Sequence, residues 1–328
     1  MKAAATEARK RAMVDSALGA AIRAALADAD VIEVMANPDG SVRLDRLSSG
    51  REDTGQQLAA AERERIVRLV ASHMRREAHG EAPVVSAELP LHAGGGGERF
   101  EGILPPVSEA PCFSIRKPAS KVHTLADYVA AGIMTAEAAR LLSLAVAGRK
   151  NILVAGGTSS GKTTLANALL AELGARDERV ILIEDTRELQ CSARDQVALR
   201  TSPPHTTMAD LVRSTLRLRP DRIVIGEVRG GEALDMLKAW NTGHPGGIAT
   251  VHANGARAAL HRLEQLVQEA AASVPARLIA EAIDLVAFLD GRGPERRLAA
   301  IAAVTGLASD GGYALRNLPI DDDEGAIR

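Results

Sequence analysis

The residues with the clearest chemical meaning are Gly156-Gly157-Thr158-Ser159-Ser160-Gly161-Lys162-Thr163, which match the spacing G-x-x-x-x-G-K-[ST] at every fixed position. Glycines at these places let successive backbone N–H groups turn inward and form an anion nest. Lys162 supplies a charge for the β- and γ-phosphates, and the Thr163 hydroxyl is a ligand for Mg²⁺. Thr164 completes the phosphate-binding set at the helix start. The run NILVAGG before the loop reads as a buried strand, and TLANALLAEL after it reads as a helix whose N-terminus faces the anion. A glycine-rich turn that happens to contain Lys would not need both neighbours. The expected ligands are ATP and Mg²⁺.

A phosphate loop alone does not separate kinases, GTPases and motors. Two acidic pairs downstream narrow the choice. Glu184-Asp185 ends the apolar run VILIEDT, and Gly226-Glu227 ends RIVIGEV, each at the strand end where ligands sit in open α/β sheets. A carboxylate there can orient the attacking water or support the Mg²⁺ shell, and either pair could also be a solvated strand end. Arg213, Arg217 and Arg219 lie in LVRSTLRLRPD. Arg213 reads as part of a solvated helix face. Arg219, next to Pro220, is the arginine expected at the phosphates, where a forked, always-charged donor suits a transferring γ-phosphate. In NTGHPGGIATVHAN, His244 and His252 bracket a glycine turn and a short strand. They are either structural or placed to sense the γ-phosphate, and metal ligation is not expected without Cys or acidic partners nearby.

These residues must be positioned by strands alternating with helices, which implies a largely parallel sheet with helices on both faces over 135–315. The preceding part reads differently. Ala17 to Ala27 is helical, VIEVMANPDGSVRLDRL is a hairpin turning at Asn37-Pro38-Asp39-Gly40, and Ala59 to Arg76 carries Ile66, Leu69, Val70 and Met74 at helical spacing. The AGGGG run from Ala93 to Gly97 reads as a loop, and ERFEGILPPV and PCFSIRK as paired strands. The expected organisation is a small α+β domain over 1–120, a linker over 121–134, an α/β domain over 135–315, and an acidic, disordered tail over 316–328.

Composition sets limits on function. At 328 residues two domains are expected, and 46% apolar residues give material for two cores. A net charge of -2, with a single Trp, two Tyr and three Phe, leaves neither a basic footprint nor a row of stacking platforms. Direct binding of nucleic acid is therefore not expected. Cys112 and Cys191 are too few for a disulfide framework and lack zinc spacing, so both read as small buried hydrophobes. No apolar run approaches a membrane span or a signal h-region, so a cytoplasmic protein is expected.

With the phosphate loop, IEDTREL, LRLRPDRIVIGEVRGGEAL and NTGHPGGIATVHAN in this order, the chain resembles the secretion-ATPase superfamily of traffic and pilus motors. ERFEGILPP, FSIRKPA, GGTSSGKTTLANALL and LKAWNTGHPGGIATVHAN are similar, more narrowly, to the TrbB-type conjugative-transfer ATPases of bacterial type IV secretion systems, from about Val31 to Arg292. The resemblance implies a RecA-like motor domain preceded by a mixed α/β domain, ATP between the two, and a hexameric ring peripheral to the inner membrane on its cytoplasmic face, docked on channel proteins. It places Glu184 in an acidic box, Glu227 in the Walker B position, His244 and His252 in a histidine box, and Arg219 at the phosphates. It makes Arg116, and less strongly Arg99, arginines of the first domain that close over the phosphates. The chain departs from the pattern at Gly255, where Ser is commoner, and shares with its superfamily a Walker B strand without Asp before Glu227. The absence of a CxxC pair speaks against the type II branch.

The function implied is an ATPase powering pilus biogenesis, substrate transfer or both. Its rivals are a DNA-translocating motor of the same fold, a nucleotide-gated scaffold of the channel, and a small-molecule kinase.

Overall fold

The computed structural model describes residues 2–74, 76–90, 97–118, 122–202, 205–273 and 276–320, without side chains at 2–8. Residues 93–96 of the loop expected over 93–97, and residues 321–328 of the tail expected over 316–328, lie outside the described residues. The chain divides into two compact units, Met1–Ser120 and Lys121–Arg328.

In the first unit, α1 (Lys2–Ala27) is followed by β1 (Val31–Ala36), β2 (Ser41–Arg46) and β3 (Gly50–Gln57). Then come α2 (Ala60–His73), β4 (Val84–Glu88), β5 (Arg99–Ile103) and β6 (Cys112–Arg116). The strands form one six-stranded sheet in the order β3-β2-β1-β6-β5-β4, antiparallel throughout. The Asn37–Gly40 turn joins β1 to β2, as the dipeptide chemistry required: Asp39 Oδ1 accepts from the Ser41 N–H at 2.9 Å, and Gly40 sits at φ 92°. Strand β3 was not expected. Its sequence GREDTGQQ has no apolar face because it is an exposed edge strand. Ile66, Val67 and Val70 of α2 pack with Val14, Leu18 and Ile22 of α1 on Val34, Phe100 and Ile115 of the sheet.

The second unit begins with α3 (Leu125–Ala130) and α4 (Ala136–Ala147), each capped by a threonine, Thr124 and Thr135, whose Oγ1 accepts the N–H three residues on at 3.1 Å. Leu125 and Tyr128 are buried, so much of the stretch expected as a linker is packed structure. There follow β7 (Ile152–Gly156), α5 (Lys162–Ala171), β8 (Arg179–Glu184), β9 (Asp195–Arg200), α6 (Met208–Thr215) and β10 (Arg222–Ile225). The unit closes with α7 (Glu232–Asn241), β11 (Ile248–His252), α8 (Ala256–Gln268), α9 (Ala276–Ala282), β12 (Leu285–Asp290), β13 (Arg297–Leu307) and β14 (Tyr313–Asn317). Residues 316 and 317, expected in the tail, thus belong to a strand.

The eight strands run β14-β13-β12-β7-β11-β10-β8-β9. From β12 to β9 all pairings are parallel, and β13 and β14 add an antiparallel end. Alternate residues divide the apolar strands between two cores. Leu153, Ile181, Ile223 and Val251 face α6, α7, α8 and α9, while Ile152, Val154, Val180 and Ile248 face α3, α4 and α5. This is the mixed α/β fold expected, a P-loop unit of RecA-like strand order preceded by an α+β unit.

Candidate functional site

A parallel strand delivers whatever follows it to its C-terminal edge and whatever precedes it to the opposite edge. That rule sorts the candidate residues of the second unit. The phosphate loop leaves β7 at Gly156 and enters α5 at Lys162. A Cβ on Gly156 would stand 2.8 Å from Leu289 O, and Gly161 sits at φ 90°, so both glycines are required by space or by backbone. Ser159 also lies in the left-handed region, at φ 62°. Lys162 Nζ donates to Gly157 O at 3.0 Å, which keeps the ammonium over the loop. No side chain caps α5, leaving the first N–H groups of the helix directed into the loop. Ser160 Oγ is buried without a hydrogen-bond partner.

The same edge carries His252, Glu227 and Glu184. β11 lies between β7 and β10, and its last residue, the exposed His252, is the register partner of Gly156. Ala253 N–H donates to Gly156 O at 3.4 Å, pinning the chain after His252 to the start of the loop. Glu227 follows β10 by two residues, and its position is fixed by Thr250 Oγ1 donating to Gly226 O (2.7 Å) and Val228 N–H donating to Thr250 O (2.9 Å). Arg229 Nε donates to Glu227 Oε2 at 2.8 Å. Burial works against the charge of Arg229, but Glu227, with Asp185 and Glu188 behind it, more than offsets this and holds the guanidinium above its ordinary pKa.

Glu184 is different from Glu227. It is 3% exposed, and its Oε2 accepts the N–H groups of Glu188 (2.9 Å) and Leu189 (2.8 Å), closing the turn after β8. That turn is braced against the loop helix, because Asn167 of α5 donates to Glu188 O and accepts from Gln190 N–H, both at 2.9 Å. The missing Asp before Glu227 has a steric counterpart here: a Cβ on Gly226 would stand 3.2 Å from Glu184 Cβ, so a side chain at this place would press on the buried glutamate.

Two expected residues lie elsewhere. His244 precedes β11, and the neighbouring Gly246 and Gly247 amides donate to Asn151 Oδ1 (2.8 and 2.9 Å) just before β7. His244 therefore sits at the N-terminal edge, about 15 Å of strand away from His252. Its Nδ1 lies 3.3 Å from Ala239 O at the end of α7. Arg219, exposed and at φ 54°, precedes β10 at the same far edge, where Asp221 N–H donates to Arg179 O at the start of β8. Within one chain neither reaches the phosphate loop. The strand that follows each residue, β11 after His244 and β10 after Arg219, separates it from that edge. Arg213 is the solvated residue expected, paired with Asp235 at 2.9 Å.

Arg99 and Arg116 belong to the first unit, as direct register partners on β5 and β6. Glu88 of β4 faces Arg99, and Glu33 of β1 faces Arg116, so the row across four strands reads Glu, Arg, Arg, Glu. Two like charges directly opposite are unfavourable in a sheet, and the flanking glutamates temper this. Cys112 and Cys191 are free and half-buried rather than fully buried, and burial pushes the Cys191 thiol up.

Sequence reasoning missed Arg229, Asn167 and Asn151. For Arg229 a signal existed, since residues two apart on an extended segment share a face. Among the described residues no group of three or more His, Cys, Asp or Glu could hold a metal ion.

A glycine-rich loop at the C-terminal edge of a parallel sheet, one strand removed from the strand that presents a carboxylate, defines the class of RecA-like P-loop proteins. The family described as type II/IV secretion system protein matches residues 100–289, and the chain belongs to this family. It is 47% identical over 298 residues to the conjugal transfer protein TrbB of Rhizobium radiobacter, covering 90% of each chain. It is 35% identical over 308 residues to the type IV secretion system protein PtlH of Bordetella pertussis, covering 82% of this chain and 89% of that one. The fold is shared with the pilus retraction motor PilT solved with bound ADP, at a TM-score of 0.62 and 18% identity, covering 92% of this chain and 82% of that chain.

Proposed function

We propose that this chain is the ATP-hydrolysing motor of a conjugative type IV secretion system, working as a ring of six copies at the cytoplasmic face of the inner membrane and powering pilus biogenesis, substrate transfer or both. The observation that carries the reading is the shared edge: the phosphate loop, His252 and Glu227 come together at the C-terminal ends of β7, β11 and β10. The names of the relatives in conjugal transfer and type IV secretion support the setting. Among the described residues no helix is long and apolar enough to cross a membrane, so attachment through channel proteins is part of the proposal.

In this reading the amides of Gly157 to Thr163 and the Lys162 ammonium bind the β- and γ-phosphates of ATP. The Thr163 hydroxyl would hold a Mg²⁺, which would supply positive charge to the phosphate oxygens. Glu227, its carboxylate steadied by Arg229, orients the attacking water and takes up its proton, giving ADP and phosphate. His252 stands beside the loop to hydrogen-bond the terminal phosphate. Glu184 acts indirectly, by closing the turn that braces α5. Arg219 and His244 would act on phosphates only in the site of another copy. Arg116 and Arg99 are proposed to supply charge to the phosphates from the first unit, so that binding and hydrolysis change the relation of the units.

The test is phosphate release by the purified chain with Mg²⁺ and ATP. Wild type should turn over and Lys162→Ala should not, whereas equal rates in the two would sink the proposal. Mass measurements with a non-hydrolysable ATP analogue should show a hexamer, and a monomer at every concentration would remove the ring.

A further inference from the structure

The connection between β12 and β13 places a guanidinium on the phosphate loop. β12 pairs with β7 on the side opposite β11, with Leu289 in register with Gly156. The connection turns tightly at Gly291, which is at φ 74°. Arg297 Nη2 donates to Asp290 Oδ2 at 2.8 Å, and Leu298 N–H donates to Ile133 O at 2.7 Å. These contacts fix Arg296, which lies beyond the family match at residues 100–289.

The guanidinium of Arg296 lies against Gly161. From the place of a Cβ on Gly161, Arg296 Cζ is 3.0 Å away, Nε 3.1 Å and Nη1 3.2 Å. Three atoms of a planar group at nearly one distance mean that the group lies flat over the glycine. Nη2 donates to Ser159 O at 3.3 Å. Nε is buried and has no hydrogen-bond partner, which is costly for a charged donor unless a ligand supplies the acceptor. The buried Tyr128 hydroxyl also has no partner; burial pushes its pKa up, and the positive charge of Arg296 works against that rise.

We infer that Arg296 is a contact for the nucleoside half of the bound nucleotide, its planar guanidinium forming the platform on which the purine base rests. The inference builds on the nucleotide site proposed above and adds what holds the base. Glu227 and His252 lie at the ends of β10 and β11, so the terminal phosphate points to that side of β7. The other end of an extended nucleotide then points towards β12, where Arg296 is. A guanidinium stacks on a flat π-system and keeps in-plane donors for the ribose or a loop carbonyl, which a lysine does not.

Calorimetric titration with ATP and with inorganic tripolyphosphate, both with Mg²⁺, separates base recognition from phosphate recognition. Arg296→Ala should weaken ATP binding about tenfold and leave tripolyphosphate binding unchanged, which also shows the loop to be intact. Arg296→Lys should recover only part of the lost ATP affinity. Unchanged ATP affinity in Arg296→Ala would overturn the inference, as would an equal loss for both ligands. A wild-type chain that bound neither ligand would instead remove the nucleotide site itself.

Discussion

His252 is the register partner of Gly156, so the last residue of β11 stands beside the first residue of the phosphate loop, while His244 lies in the turn that precedes the other end of that strand. One strand thus separates two histidines that share a motif. Their substitutions should behave differently. His252→Ala should lower kcat roughly ten- to a hundredfold through loss of a hydrogen bond to the transferring phosphate, with little change in ATP affinity. His244→Ala should leave the ATP affinity of the single chain at the wild-type value. A loss of affinity in His244→Ala at dilutions where the chain is monomeric would contradict the placement.

Glu184 and Glu227 should separate in the same way. Glu184→Ala leaves two N–H groups without their acceptor, at a cost on the order of 2–4 kcal/mol, which thermal melting of the second unit would register as a fall of several degrees. Glu184→Gln keeps an oxygen acceptor and should retain most of the stability and turnover. If Glu184→Gln instead removed turnover with the fold intact, the buried glutamate would have to be placed in the chemistry.

Gly226 has an ordinary backbone conformation but a close neighbour, since a Cβ there would stand 3.2 Å from Glu184 Cβ, which would have to yield by a few tenths of an ångström. Gly226→Asp should therefore destabilise by about 1–3 kcal/mol through overpacking against Glu184, which is buried and fixed by two backbone hydrogen bonds. Equal or greater thermal stability would show that the crowding is relieved elsewhere.

Arg99 and Arg116 face each other across β5 and β6. Removing one of two opposed like charges should not weaken the first unit. Arg116→Ala is expected to melt at or slightly above the wild-type temperature while ATP turnover falls. A lower melting temperature with unchanged turnover would make Arg116 a structural residue and end its proposed part at the phosphates.

Much of this was legible in the sequence because the informative residues carry local constraints. The G-x-x-x-x-G-K-T spacing, the apolar runs of β7, β8 and β10, and the Asn-Pro-Asp-Gly turn each depend on neighbours within a few residues. The edge strand β3 was not legible, since an exposed strand needs no apolar face, and β9 shows only Val197 and Leu199 on its core side, too short a pattern to stand out. That Arg219 and His244 precede β10 and β11, and so stand at the edge opposite the phosphate loop of their own chain, depends on strand direction in the sheet, which neither motif carries. The steric need for Gly226, the facing of Arg99 and Arg116, and the seat of Arg296 on Gly161 depend on pairings between distant segments, which no single-segment pattern carries.

The central claim is that Glu227, held by Arg229 at the edge shared with the phosphate loop, orients the water that cleaves ATP. The most direct measurement is a single-turnover experiment with Mg²⁺ and ATP labelled on the base, comparing wild type with Glu227→Gln. The account predicts that Glu227→Gln binds ATP with near wild-type affinity and holds it uncleaved, with ADP formation slowed by a factor of about 100 or more. ADP formation at the wild-type rate would contradict it.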